Sequence, residues 1–441
     1  MRSIAVTVAF GLLVSVAVGG LSGTYTIKPE GGGDFLSLLA VGEALDSLGM
    51  SGDCVFEIYG DTLDGWFGAW QVAGSDSWTT TFRPGPGASP VILGSEFYGE
   101  VYHNVKIESL RILTAYITIR GCSGWRISGC RFTTHDWGVK LESSSYDTVD
   151  ANTFDIYPKY GGHYPCIVVE GGSDNLIFNN VMNPDTCGVG VLVDLDMARN
   201  TRFVFNALRM PPWDMAIASC IEIPYNVPCE VRNNVFVLAR AADTVNACVS
   251  VPNAAADSIV LDNNCYFVES LGHVGARPFY PGNLYDWNEW RGFGFEAHGI
   301  YADPMFVSAT DLHLRQGSPC NTRATPIAGI SFDIDGDPRD PTHPDIGADE
   351  IAGGAVEETP SAEVGVNVAA TIIRGVLFLP AAASLKPQAT SLMDATGRKV
   401  QDLKPGANDV RALAPGVYFV REAEAQAQAQ AKAVRKIVIT R

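Results

Sequence analysis

Aromatic, carboxylate and cationic side chains gather in a few short stretches: Thr134-His135-Asp136-Trp137, then Lys159 and Tyr160 with His163 and Tyr164, then Asp185, then Arg209 with Trp213 and Asp214, then Arg240 with Asp243. Rings of this kind pack on the apolar faces of pyranose sugars, while charged groups fix hydroxyls and carboxylates. Trp137, Tyr160, His163, Asp185, Trp213 and Asp214 are accordingly the candidate ligand-binding residues. Two reactions suit such a set. Elimination from an acidic sugar needs carboxylates that hold Ca2+ and a Lys or Arg as base; the cations on hand are Lys159, Arg209 and Arg240. Hydrolysis needs two carboxyl groups at a defined separation, for which Asp136, Asp185 and Asp214 qualify. The catalytic candidates are thus Lys159, Asp185, Arg209 and Asp214. Against each single residue stands the plainer reading that a loop aromatic packs down on the wall of its own domain.

The elements that would carry these stretches show themselves by repetition. An apolar residue, two variable residues, Asn, any residue and a large apolar residue recur as Val149/Asn152/Phe154, Ile177/Asn180/Met182, Phe203/Asn206/Leu208, Val231/Asn234/Phe236 and Leu261/Asn264/Tyr266. Ile107/Leu110/Ile112 and Ile127/Cys130/Phe132 keep the spacing without the Asn. A period of roughly 20–30 residues marks a solenoid. Each period holds a further alternating run, such as Ile117–Ile119, Val139–Leu141, Val191–Val193 or Ile221–Ile223, which reads as a half-buried strand. With no helical pattern between them, two or three strands per coil predict a parallel β-helix. Coils stacked about 4.8 Å apart would bring the Asn amides into one column, bonded along it and to turn backbone. The large apolar residues would then fill the interior. From the large apolar residue to the following strand the distance varies, reaching 13 positions at 154 to 167, 208 to 221 and 236 to 249, whereas the return side is nearly constant. Insertions on one face of a solenoid build its binding face, and most of the candidate residues fall in them.

A formal charge of -18 argues against nucleic acid as a partner, and an acidic polysaccharide would be repelled as well unless a cation such as calcium intervened. Forty-five glycines and 18% charged residues fit a turn-rich, all-β extracellular chain. Arg2 and the apolar run from Ile4 to Val18, ending in small residues, read as a secretory signal over residues 1–22. No second such run follows, so the expectation is a secreted or outer-surface protein without a transmembrane segment. Cys166, Cys220 and Cys248 repeat one position in their coils and read as apolar filler rather than disulfides. After Gly31–Gly33, Asp34 reads as the cap of a helix through Phe35, Leu38, Leu39, Leu45 and Leu48 that would cover the open end of the solenoid.

From Leu284 the chain reads Leu-Tyr-Asp-Trp-Asn-Glu-Trp-Arg, then Asp303-Pro304-Met305-Phe306, Gln316-Gly317-Ser318-Pro319-Cys320, Asp333-Ile334-Asp335-Gly336-Asp337-Pro338-Arg339 and Asp345-Ile346-Gly347-Ala348-Asp349-Glu350. This ordered series resembles the C-terminal end of secreted right-handed parallel β-helix proteins of the pectate-lyase-like superfold, over residues 24–351. The resemblance implies a fold and no particular reaction. Asp333, Asp335 and Asp337 alternate and offer hard oxygen ligands for Ca2+, while the same motif in look-alikes closes the solenoid through an acid–Arg339 turn. Glu296 and His298 read as structural. The Asn-Thr-Asp, Asp-Asp and Gly-His-Gly set of the polygalacturonases is absent, which favours a polysaccharide lyase over a glycoside hydrolase.

Residues 352–362 are rich in Gly, Glu and Pro and read as a linker. Beyond them, residues 363–441 carry short β runs around Leu392–Val400 and Leu413–Arg421 and end in Lys436-Ile437-Val438-Ile439-Thr440-Arg441. This stretch is similar to the immunoglobulin-like sorting domain of exported bacterial proteins of the type IX secretion kind, which implies the export machinery as a partner. The Ala/Gln tract from Glu422 to Ala433 reads as a long hairpin loop. The whole is expected to be all-β: a right-handed parallel β-helix with an N-terminal capping helix, then a small β-sandwich. Its expected ligand is a polysaccharide or cell-surface glycan, with cleavage left open. The competing expectation is a non-catalytic, adhesin-like surface protein.

Overall fold

The computed structural model describes residues 19–351 apart from 95, 115, 136, 157–164, 185–189, 212–216, 240–244, 253–257, 270–272 and 278–282. Further on it describes 371–440 apart from 375, 380–389, 395–397, 405, 412 and 423–433. The chain divides into two units, Met1–Gly353 and Gly354–Arg441.

In the first unit each coil runs through three short strands, for example Thr148–Asp150, Thr153–Ile156 and Ile167–Glu170, before the chain returns to Leu176–Phe178. Like strands of successive coils pair to form three ten-stranded sheets. The first sheet runs from Leu21–Ile27 to Ile259–Asp262, the second from Thr62–Asp64 to Ile300–Tyr301 and the third from Phe67–Trp70 to Asn283–Tyr285. Pairing is parallel except at the last step of the third sheet, where His273–Arg277 meets Asn283–Tyr285 antiparallel. The expected parallel β-helix is therefore present, with three strands per coil.

The alternating apolar residues point inward from all three sheets. Ile127, Val149, Ile177, Phe203 and Val231 form one buried column, Phe132, Phe154, Met182, Leu208 and Phe236 a second, and Val139, Ile167, Val193, Ile221 and Val249 a third. The rings of Phe132 and Phe154 stack with centroids 4.7 Å apart. Cys166, Cys220 and Cys248 are buried and free, and no disulfide forms among the described cysteines.

At the corner between the first and second sheets the residue before each ladder Asn adopts a left-handed conformation: Ala151, Asn179, Phe205, Asn233 and Asn263 have φ of 53–58°. Such a backbone costs a non-glycine residue about 1 kcal/mol or more, and the Asn that follows offsets it. Asn180 Oδ1 accepts both the N–H and the Nδ2 of Asn152 at 3.0 Å, Asn206 does the same for Asn180, and Asn234 and Asn264 continue the pattern. Each Nδ2 also reaches back to a carbonyl of the preceding coil, as Asn206 does to Ile177 O at 3.1 Å. Glu296, fully buried, closes the ladder by accepting from Asn264 Nδ2 at 2.7 Å, Asn264 N–H at 3.1 Å and the Tyr266 hydroxyl at 2.8 Å. Its structural reading thus acquires a definite role, and His298 is likewise structural, held to Asp262 at 2.8 Å.

Helix α1 spans Leu38–Leu48 and packs on Phe67–Trp70, the first strand of the third sheet. Its cap is Ser37, whose hydroxyl accepts from Ala40 N–H at 3.2 Å, and not Asp34. Asp34 is instead drawn to the N–H and hydroxyl of Thr26 at 2.7 and 2.9 Å. Leu38, Val41, Gly42 and Leu45 are buried, whereas Leu39 and Leu48 face solvent. Gly42 is required by close approach, since a Cβ there would lie 2.2 Å from Gly68 O.

Residues 303–351 form a strap that returns over the outside of the solenoid. Leu314, Cys320, Ile327, Ile330 and Ile346 bury the outward-facing Val204, Phe205, Val235 and Val237. The left-handed corner residues hold it: Asn179 Nδ2 donates to Phe332 O at 2.6 Å, Asn233 Nδ2 to Thr325 O at 2.8 Å and Asn263 Nδ2 to Arg323 O at 3.3 Å. Arg339, buried over the Phe205 ring at 4.1 Å, binds Asn179 Oδ1, the Gly347 and Ala348 carbonyls and Glu350. The acid–Arg339 closure is therefore seen.

In the second unit Thr371–Arg374, Val434–Thr440, Gly416–Glu422, Thr390–Asp394 and Lys399–Leu403 form one sheet, in that order, and Val376–Leu379 pairs with Gly406–Asp409 in another. Leu392, Leu403, Val410, Tyr418 and Val420 make its core. Gly416–Glu422 and Val434–Thr440 are antiparallel neighbours, so the Ala/Gln tract joins the two strands of a hairpin. Among the described residues no helix is long and apolar enough to cross a membrane.

Candidate functional site

The strap covers outward residues of the first and second sheets, and the outer face of the third sheet carries a different chemistry. Because Ile117, Ile119, Val193 and Leu195 point inward, the alternate residues of these strands point outward. In register, one outward row runs Tyr98, Thr118, Lys140, Val168, Asp194, Glu222, Ser250. A second runs Trp70, Glu100, Arg120, Glu142, Glu170, Asp196.

Along these rows the charges fall into two groups. Glu142 is neutralised by Arg120 and Lys140, each 2.5 Å away, and Lys140 also reaches Glu170 at 3.1 Å. Burial pulls the Lys140 ammonium down, but its bonds to Glu142 and Glu170 more than offset this and leave it above its usual range, a poor base. One and two coils further on, Asp194, Asp196 and Glu222 have no cation partner among the described residues. Asp194 Oδ1 and Asp196 Oδ1 are buried and accept no hydrogen bond there. Burial, then the charges of Asp196 and Glu170, push Asp194 up to about 7. Burial, then Asp194, push Glu222 up to about 7 against the pull of the Ser219 hydroxyl. Asp196 is raised by burial and by Glu170. Two carboxyls opposite each other on neighbouring strands therefore share a high proton affinity near neutral pH.

Aromatic rings occupy the other end of the same face. Trp66 and Trp70 lie 5.1 Å apart between centroids, Trp70 and Tyr98 5.9 Å, and Tyr116 and Trp137 5.6 Å. Trp70 is 41% exposed. Gly68 lies under the two indoles, where a Cβ would come within 2.3 Å of Trp66 and 2.7 Å of Trp70. Lys140 Nζ sits 5.0 Å over the Trp137 ring, which ties the aromatic and ionic groups together.

Of the residues singled out from sequence, Trp137 is on this face. Arg209 is not: it leaves the second sheet, forms an ion pair with Glu269 at 3.5 Å and lines a depression walled by Phe267, Asp303 and Phe306. Lys159, Tyr160, His163, Asp185, Trp213 and Asp214, with Asp136, Arg240 and Asp243, lie outside the described residues. The Asp333, Asp335 and Asp337 set does not converge on a common point. Asp333 is buried and spends both oxygens on backbone, Oδ1 on the N–H groups of Asp335 and Asp337 at 3.0 and 2.8 Å, Oδ2 on that of Glu350 at 2.9 Å. Asp335 turns instead to His313 Nε2 at 2.9 Å, and Asp337 is exposed.

Asp194, Asp196 and Glu222 were missed because acids at outward strand positions look like an ordinary solvent face. The available signal was register. Once the Val191–Val193 and Ile221–Ile223 runs are aligned, acids follow one another coil upon coil with no basic residue opposite.

No protein-family model and no curated protein matches the sequence. Among solved structures the chain is similar to an alginate lyase from Paenibacillus sp. str. FPU-7, at 17% identity over 63% of this chain and 99% of that one, with a TM-score of 0.40. It is also similar to pectate lyase Pel9A, at 11% identity over 76% and 97% of the two chains, TM-score 0.39. A third likeness is to the catalytic domain of a GH87 alpha-1,3-glucanase in complex with nigerose, at 13% identity over 58% of each chain, TM-score 0.25.

Proposed function

We propose that the protein binds a polysaccharide chain along the outer face of the third sheet and cleaves it by acid–base chemistry at Asp194 and Glu222. The observation that carries this reading is the pair itself: two carboxyls in cross-strand register, without a cation among the described residues and with proton affinities near neutrality. At such a pH the pair holds a proton for a leaving oxygen beside a carboxylate that meets developing positive charge, the division of labour of glycoside cleavage. Asp194 and Glu222 sit on neighbouring strands about 4.8 Å apart, and a closely set pair is the kind whose second carboxylate attacks the sugar, a wider one the kind that admits a water. Elimination with a basic side chain fits the described cations less well, since Lys140 and Arg209 are both held by carboxylates.

The test is an assay of the full chain on neutral and acidic polysaccharides, reading new reducing ends and unsaturated uronides. Reducing ends without unsaturation, lost in Asp194→Asn and Glu222→Gln, support the proposal. Unsaturated products indicate a lyase instead, and binding without cleavage would return the protein to the non-catalytic class.

A further inference from the structure

The strap holds a second cluster of ligating side chains that the sugar chemistry does not use. The strand Asp311–Leu314 presents His313, whose Nδ1 bonds Asp311 Oδ1 and whose Nε2 lies 2.9 Å from Asp335 Oδ2. Asp349 arrives from the end of the strap and is 9% exposed. Its Oδ2 accepts from Leu314 N–H at 2.7 Å, and its Oδ1 accepts no hydrogen bond among the described residues. Donor atoms of His313, Asp335 and Asp349 all lie within 4.8 Å of one another.

We propose that His313, Asp335 and Asp349 form a binding site for a divalent transition metal of the Zn2+ class, with Asp311 orienting the imidazole. Three features of the geometry carry this. A ring nitrogen among the donors selects a borderline metal over Ca2+, which takes an all-oxygen shell. A carboxylate on the far nitrogen orients the ring, the usual arrangement behind a metal-bound histidine, and turns Nε2 towards Asp335, where an ion would replace the proton between them. The local charge is also unbalanced, because one imidazole faces Asp311, Asp335 and Asp349, with Asp333 close enough to act on Asp349 as well. Bonds of about 2.0–2.2 Å place tetrahedral ligands about 3.4 Å apart, so the His313–Asp335 pair at 2.9 Å must open slightly while the wider separations close. Asp335, whose side chain is 55% exposed, is placed to do so while Asp349 stays fixed by Leu314. A metal here would join three separate segments of the strap. This inference is independent of the sugar reading.

The experiment titrates Zn2+ into the full chain by calorimetry, with thermal melting alongside. One saturable Zn2+ per chain, a higher melting temperature and no comparable effect of Ca2+ are expected. His313→Gln and Asp335→Asn, both at partly exposed positions, should each weaken Zn2+ binding by about tenfold or more while leaving the circular dichroism unchanged. Co2+ should give the visible bands of a tetrahedral site in the wild type and lose them in His313→Gln. The proposal is overturned by absence of saturable Zn2+ binding to the wild type, by equal binding of Ca2+, or by variants that bind Zn2+ as the wild type does.

Discussion

Two polar columns run along the same solenoid, and they obey opposite rules. In the corner column each Asn both donates and accepts, so identical residues stacked one coil apart satisfy one another and the backbone, from Asn152 to Asn264. On the outer face of the third sheet, Asp194 and Glu222 can only accept while ionised, so stacking them satisfies neither and raises their affinity for protons. Repetition of a self-complementary group satisfies every member, whereas repetition of an acceptor raises the proton affinity of each. Glu296 belongs to both: it terminates the satisfied column and, by burial, is itself held up at about 7.

The largest effect should come from breaking the carboxyl pair. Asp194→Asn or Glu222→Gln should lower the cleavage rate by about 100-fold or more yet leave the melting temperature unchanged or higher, because a buried charge is removed. A variant that loses activity and fold together would place these residues in the structural class.

Breaking the satisfied column should do the reverse. Asn206→Leu strands the N–H and Nδ2 of Asn180 and leaves Val204 O and Ile177 O without their donor. Urea unfolding should then show a loss of about 1–3 kcal/mol. Asn226→Ala, which removes only an exposed bond to Ser258, is the control and should stay within about 0.5 kcal/mol.

The pH dependence sharpens the comparison at Glu296. Its folded pKa of about 7 lies above the ordinary 4.5, so the folded state keeps a proton that the unfolded chain has released. This contribution to stability is full below pH 4.5 and is lost as pH rises towards 7. Melting temperature should therefore fall between pH 5 and pH 8, with Asp194 and Glu222 acting in the same direction. Glu296→Gln should flatten the fall by on the order of 1–2 kcal/mol, at some cost in absolute stability because an amide hydrogen now meets Asn264 N–H. An undiminished slope in the variant would remove Glu296 from the account.

The smallest effect tests how far the outer face extends. Trp70 stands five strands before Asp194, about 24 Å along the axis. Trp70→Ala should weaken binding of long chains by about 1 kcal/mol and leave short oligosaccharides untouched. Tyr146→Ala, at a 67% exposed position outside these rows, should do neither.

Much of this architecture was legible in the sequence because the Asn phrase and the alternating apolar runs are local signals with a fixed period. The inward columns, the ladder and the filler role of Cys166, Cys220 and Cys248 followed from them. The cap of α1 did not, since choosing between Asp34 and Ser37 depends on whether Thr26, on another strand, claims the acid. Nor did the Asp194 and Glu222 pair, because their meeting depends on how two coils align across loops of unequal length. The alternation of Asp333, Asp335 and Asp337 likewise does not show that backbone N–H groups of Asp335, Asp337 and Glu350 take up both oxygens of the first carboxylate.

A solenoid of independent coils ordinarily melts from its weaker end, one coil at a time. Here Asn179, Asn233 and Asn263 grip chain that lies 153, 92 and 60 residues further on. The coils between Leu176 and Val268 are thus latched by a segment made after them, and opening any of them also breaks its hold on that segment. Synthesis would leave them as a half-fastened zip until the last residues of the strap arrive. Unfolding would run the other way, starting among the coils before Asp150, where the strap makes no side-chain bond among the described residues.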